Sequence, residues 1–187
     1  MKYIVRKPYW NYEKEEKWLN EMSAKGMALS DYSWCRYVFA DAPNNEYTYR
    51  IELLEKPPTH AESISYIKFL EENGVECIAS YMRWIYLRKK TSEGPFDIYS
   101  DIESKIKHYK RINNFWSTLM WMEFMVGLLN VIIGSVDLSF SRSPGEFSPV
   151  NLILGCLLLL IGLLFFRLGS SIRKKIKQLQ KEKAIRE

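Results

Sequence analysis

Two apolar runs in the C-terminal half limit this chain more than any other feature. The first covers residues 115–136, FWSTLMWMEFMVGLLNVIIGSV, and the second residues 150–168, VNLILGCLLLLIGLLFFRL. Each is roughly twenty residues, the length a helix needs to cross about 30 Å of hydrocarbon at about 1.5 Å per residue. The expected unit is a pair of membrane spans joined by a short loop, residues 137–149. Whatever the chain does must work through that hairpin or through what it carries.

Charge gives the hairpin a direction. The net charge is +5 over 187 residues, but it is unevenly placed. Residues 1–95 hold 14 Lys/Arg against 14 Asp/Glu, whereas residues 96–187 hold 13 against 8. The basic excess therefore belongs to the apolar half. Nucleic-acid binding would put it on the folded domain; cations at the edges of spans report topology instead. Lys105, Lys107, Lys110 and Arg111 precede the first run, and Arg167, Arg173, Lys174, Lys175 and Lys177 close the second. The loop carries only Arg142, beside Asp137 and Glu146. The positive-inside rule then places both termini in the cytoplasm and the loop outside, in a multi-pass protein of the cell membrane. The start, MKYIVRKPYW, lacks the apolar core and cleavage site of a secretory signal. Cys35, Cys77 and Cys156 are far apart, fit no zinc spacing and are expected to stay reduced in the cytosol.

Residues 1–90 read as an α+β domain. A short strand at 3–7 leads to a helix at 13–25 with Trp18, Leu19 and Met22 on one side and Gly26 as its stop. Residues 29–40 and 46–54 are strand-like, with the turn DAPNN between them. A second helix at 61–73 ends at Gly74, and strand character returns over 75–88. KWLNEMSAKGMALSDYSWCRYVFA from Lys17 aligns without a gap on SYIKFLEENGVECIASYMRWIYLR from Ser65, placing Gly26 on Gly74. The order βαββαβ with this echo predicts a ferredoxin-like sandwich. Residues 91–114 form a linker and an amphipathic juxtamembrane helix, with Ser100 and Glu103 at capping-box spacing. Residues 169–187 form a basic helical tail.

Candidate chemistry is sparse. Glu123 and Asn130 lie seven residues apart in the first span, as do Gly127 and Gly134; Gly155, Gly162 and Gly169 repeat the period in the second. Small residues at this spacing let two helices approach closely. A carboxylate within a span costs about 2.5–3.5 kcal/mol on insertion scales, so Glu123 should face protein. It is either a neutral acid hydrogen-bonded across the hairpin or an oligomer seam, which is the preferred reading, or a proton-sensitive group. In the first domain Glu13, Glu15, Glu16 and Glu21 look like an exposed helix face. The aromatic band Tyr32, Trp34, Tyr37, Phe39, Tyr47, Tyr49, Trp84 and Tyr86 suggests core packing or a partner-binding sheet face, with no RNA-recognition signature. His60 and His108 sit in no metal or nucleophile motif. No catalytic residue, metal or cofactor is expected, and the chain does not read as an enzyme.

Three stretches carry a resemblance: EEKWLNEMSAKG at 15–26, EYTYRIELL at 46–54 and IYSDIESKIKHYKR at 98–111. They resemble the bacterial membrane proteins of domain-of-unknown-function family 2812. The resemblance implies a bacterial cell-membrane protein linked to PadR-like transcriptional regulators, hence a signalling role, and it supplies no catalytic residues. Met27 departs from the aromatic residue usual there. The expected function is a membrane-tethered cytoplasmic interaction or sensing module that binds a protein or small ligand. Tyr99, Ser100, Asp101, Glu103 and Lys105 would couple it to the hairpin. The alternative is a subunit of a small oligomeric transporter or channel using the Glu123/Asn130 seam, with the chain as a homo-oligomer.

Overall fold

A computed structural model describes residues 2–99, 101–141 and 148–186. Ser100, Arg142 and Glu146 lie outside these residues. The chain divides into two compact units, Met1–Ser104 and Lys105–Glu187.

The first unit is built twice from the same order of elements. Strand β1 (Lys2–Arg6), helix α1 (Tyr12–Ala24) and the hairpin β2 (Met27–Ser33) and β3 (Arg36–Asp41) make one βαββ unit. Strand β4 (Tyr47–Leu53), helix α2 (Ala61–Glu72) and the hairpin β5 (Val75–Tyr81) and β6 (Trp84–Lys90) make the other. Each forms its own antiparallel sheet, ordered β1-β3-β2 and β4-β6-β5. The fold is therefore α+β, but not the expected ferredoxin-like βαββαβ sheet. The stretches 29–40 and 75–88, each read as one strand, both fold back as a hairpin. The echo in the sequence is the trace of the repeat. Both hairpins shift register at the corresponding place, between Leu29 and Asp31 and between Cys77 and Ala79.

Local chemistry sets the helix limits. Asn11 caps α1, its Oδ1 accepting from the amides of Glu13 (2.9 Å) and Lys14 (3.1 Å). Gly26 ends it at φ +79°, and a Cβ there would come 2.9 Å from the Ala42 carbonyl oxygen. His60 caps α2, Nδ1 accepting from Glu62 N at 3.3 Å. One core joins α1 to both sheets through Leu19, Met22, Leu29, Tyr37, Phe39, Tyr49, Ile51 and Tyr86. A second gathers Leu54, Leu70, Val75, Ile85, Leu87 and Phe96. Strand β2 runs beside β5, and Arg88 ties the sheets by donating from Nη1 to the Leu29 carbonyl at 3.1 Å.

The outer edge of β4 is closed by side chains from α1. Ser23 serves Tyr47, its Oγ donating to the carbonyl (2.7 Å) and accepting from the amide (3.3 Å). Asn20 serves Tyr49, with Nδ2 donating to the carbonyl (3.2 Å) and Oδ1 accepting from the amide (2.9 Å). Glu16 Oε2 accepts from Ile51 N at 3.0 Å. Helix positions 16, 20 and 23 thus meet alternate strand positions 47, 49 and 51, which shields an edge that would otherwise pair with another chain. Asn20→Ala should cost about 1–3 kcal/mol, because it orphans the Tyr49 amide and leaves the Tyr49 carbonyl with only the Arg50 Nη1 donor at 3.0 Å. Hydrogen exchange at the Tyr49 amide should accelerate accordingly.

The second unit is a pair of long helices, α3 (Ile102–Phe140) and α4 (Val150–Arg186). Both are long and apolar enough to cross a membrane. The stretches expected as a juxtamembrane helix and a first span form one continuous helix. At 39 residues α3 is about 58 Å long, well beyond the about 30 Å of a hydrocarbon core. The stripe begun by Ile102 and Ile106 therefore rises along the helix axis instead of turning flat at its foot.

Candidate functional site

Glu15 is the polar centre of the first unit. Helical spacing puts it on the face of α1 that carries Leu19 and Met22, and it is 6 % exposed. Its Oε1 accepts from the Tyr37 hydroxyl at 2.6 Å and the Tyr86 hydroxyl at 2.7 Å. Tyr37 comes from β3 and Tyr86 from β6, so a single carboxylate oxygen joins the two repeats. Tyr32 completes the cluster, its ring 4.8 Å from Tyr37 and 4.1 Å from Tyr86. Glu15 and Glu16 are thus not the exposed helix face expected from the acidic run. Glu16 reaches β4 and pairs with Arg50 at 3.2 Å.

Burial pushes the Glu15 carboxyl above its usual value, while the Tyr37 and Tyr86 hydroxyls pull it back. Glu16 is raised by the same cause and opposed by the Ile51 amide and Arg50. Burial, then the Glu15 charge, drives both tyrosines far upward. They stay protonated, so they serve as fixed hydrogen-bond donors and not as bases. The cluster is suited to holding two sheets together. Of the aromatic band, Tyr37, Phe39, Tyr49 and Tyr86 are core residues, which removes them from any binding face. Trp34 stays exposed. Burial raises the Cys77 thiol to about 11, so it is not an activated nucleophile. No group of three or more metal-ligating side chains occurs among the described residues.

In the second unit the glycines stand where α3 and α4 meet. A Cβ on Gly155 would lie 2.8 Å from the Gly127 carbonyl oxygen and 2.8 Å from Val131 N. One on Gly127 would lie 3.1 Å from the Gly155 carbonyl oxygen. Gly134 faces Leu152 and Gly162 faces the Phe124 ring. Gly169 is looser: across the pair, a Cβ there would meet Trp116 Cβ at 3.7 Å. Trp116 also packs on Phe165, with ring centroids 5.7 Å apart. Lys175 Nζ lies 5.4 Å from the centre of the Tyr109 ring. The pairing of 134 with 152, 127 with 155, 124 with 162 and 109 with 175 defines one antiparallel register.

Glu123 and Asn130 are half-buried. At about 100° per residue they fall on one shoulder of the glycine seam, four before and three after Gly127. The Asn130 side chain donates Nδ2 to the Val126 carbonyl of its own helix at 2.8 Å. Asp101 caps the start of α3. Its Oδ1 accepts from Ser104 N at 2.7 Å and its Oδ2 from Ser104 Oγ at 2.8 Å. Tyr99 donates its amide to Asp97 Oδ1 at 3.2 Å. Glu103 and Lys105 sit in the first turn of α3, Glu103 exposed and Lys105 half-buried.

A family model described as "Protein of unknown function (DUF2812)" matches residues 11–121. The chain belongs to this family. The DUF2812 region starts at Asn11, the cap of α1, takes in the rest of both repeats and ends at Trp121 inside α3. The family unit therefore includes the Asp101-capped entry to the first apolar helix. No curated protein and no solved structure matches the chain.

Proposed function

We propose that this DUF2812 protein is a membrane-tethered interaction or sensing module. Its α+β unit lies in the cytoplasm, with α3 and α4 crossing the cell membrane and both termini inside. The outer surface of the helix pair carries this reading. Trp121, Met125, Leu128 and Leu129 on α3 stand exposed, as do Leu157, Leu160, Leu163 and Leu164 on α4. Such a continuous apolar surface suits lipid and would be a liability in water. The basic residues flanking each run support the orientation. The tyrosine-clamped pair of sheets supplies a rigid body for a protein partner or small ligand. The resemblance to PadR-associated proteins points to a transcriptional regulator as that partner. Crosslinking the full-length chain in native membranes should co-purify one recurrent partner across growth conditions; recovery of the chain alone in every condition would contradict an interaction role.

One observation favours a second reading, a subunit of an oligomeric transporter or channel. Glu123 and Asn130 share a shoulder of the seam that a second hairpin would cover, and two spans cannot enclose a pathway alone. Native mass spectrometry should then give an oligomer, and Glu123→Gln should abolish a pH-dependent flux while leaving assembly intact. A strict monomer removes this reading.

A further inference from the structure

One end of the α+β unit gathers exposed apolar side chains and cations. Three contacts bring its parts together. Lys7 N donates to the Cys35 carbonyl at 2.9 Å, tying the exit of β1 to the β2–β3 turn. Tyr12 packs on Trp84 with ring centroids 5.6 Å apart, tying the start of α1 to the β5–β6 turn. Tyr32 and Tyr81, just before the two turns, are 6.2 Å apart. From this end project Trp10 (61 % exposed), Trp34 (76 %) and Met82 (70 %). Trp34 and Met82 occupy corresponding places in the two repeats, each opening its hairpin turn.

The charges beside them are mostly of one sign. Arg6 stands directly opposite Arg36 in the β1–β3 register, and Lys7 and Arg83 border the two turns. Arg36 meets Asp31 at 3.5 Å, Arg83 Nε donates to the Leu54 carbonyl at 2.9 Å, next to Glu55, and Glu13 follows Tyr12. Like charges facing each other across two strands oppose pairing unless an anion offsets them. Exposed tryptophans set among arginines and lysines suit one environment well, the headgroup layer of an anionic bilayer.

We infer that the end of the α+β unit bearing Trp10, Trp34 and Met82 is a membrane-surface contact that inserts into an anionic leaflet. This rests on the tethered reading above, which keeps the domain beside a bilayer at high effective concentration. The indole rings enter the interface and the cations meet lipid phosphates. The hairpin anchors the chain, while the tip sets whether the domain lies on the membrane or stands free.

The test uses the full chain in vesicles, with Met82→Cys carrying a polarity-sensitive fluorophore in a Cys35→Ser, Cys77→Ser, Cys156→Ser background. In phosphatidylglycerol-containing vesicles the emission should shift to the blue and be quenched by a lipid-borne quencher. Raising salt from about 0.1 M to about 1 M, which cuts the Debye length from about 10 Å to about 3 Å, should weaken the quenching. Trp10→Ser/Trp34→Ser should reduce it about threefold. Resistance of the same samples to alkaline extraction reports hairpin insertion separately. An inserted hairpin with an unquenched, water-exposed label in every lipid mixture would overturn the tip contact and leave the tether standing. A label protected only when a soluble protein is added would overturn it equally.

Discussion

Glu15→Ala lowers the stability of the α+β unit by about 2–6 kcal/mol, the sum of two phenol donors deprived of their acceptor at about 1–3 kcal/mol each, with a small cavity adding to it. The loss is read from denaturant unfolding followed by tyrosine near-ultraviolet circular dichroism. Tyr37 and Tyr86 both donate to the same Oε1, so one substitution strands donors on both sheets. Glu15→Gln keeps an accepting oxygen and should cost only about 1 kcal/mol. The two variants also differ in their response to pH. The folded-state value of Glu15 lies above its ordinary 4.5. Between those two values the folded chain holds a proton that the unfolded chain has released. Stability therefore falls as pH rises through that window and is greatest below it. Glu16 adds in the same direction. Glu15→Gln should flatten this slope to the part that Glu16 supplies. An unchanged slope would remove Glu15 as its source.

Gly155→Leu forces α3 and α4 apart. The nearest atoms to a Cβ at Gly155 include the Gly127 carbonyl oxygen and the Val131 amide nitrogen, both at 2.8 Å, and backbone cannot rotate out of the way. The cost is about 1–3 kcal/mol of helix pairing, typical of overpacking. Spin labels on Leu128→Cys and Leu160→Cys, both on outward faces, should report a longer interhelical distance by double electron–electron resonance. Gly169→Ala is the internal control. Its nearest neighbours are the flexible end of Arg173 and the Trp116 Cβ at 3.7 Å, so the distance should not change.

These two sites differ in how plainly the sequence announces them. The helix pair follows from length, hydropathy and a seven-residue glycine period, all features of one element at a time. The limits of α1 and α2 were legible in Gly26 and Gly74. The two hairpin turns were not. They fall at Trp34-Cys35 and Met82-Arg83, with no Gly, Pro, Asn or Asp to mark them. Cys35 and Met82 adopt positive φ there, 57° and 54°, despite carrying side chains. Without those breaks each βαββ unit loses a strand, and a single ferredoxin-like sheet results. Glu15 was misread for another reason. The run of acids suggested a solvated face, although its spacing to Leu19 and Met22 already placed it inward. What compensates for its burial comes from Tyr37 and Tyr86, remote in sequence and brought close by the first and the second sheet respectively.

The most direct test of the tethered module is accessibility of single cysteines to an impermeant maleimide in intact cells, with the three native cysteines replaced by serine. Ser148→Cys, in the loop before α4, should be labelled from outside. Trp34→Cys, in the α+β unit, should be labelled only after the membrane is opened. Labelling of Trp34→Cys in intact cells, or release of the full-length chain by alkaline extraction, would contradict a cytoplasmic domain held by a spanning hairpin.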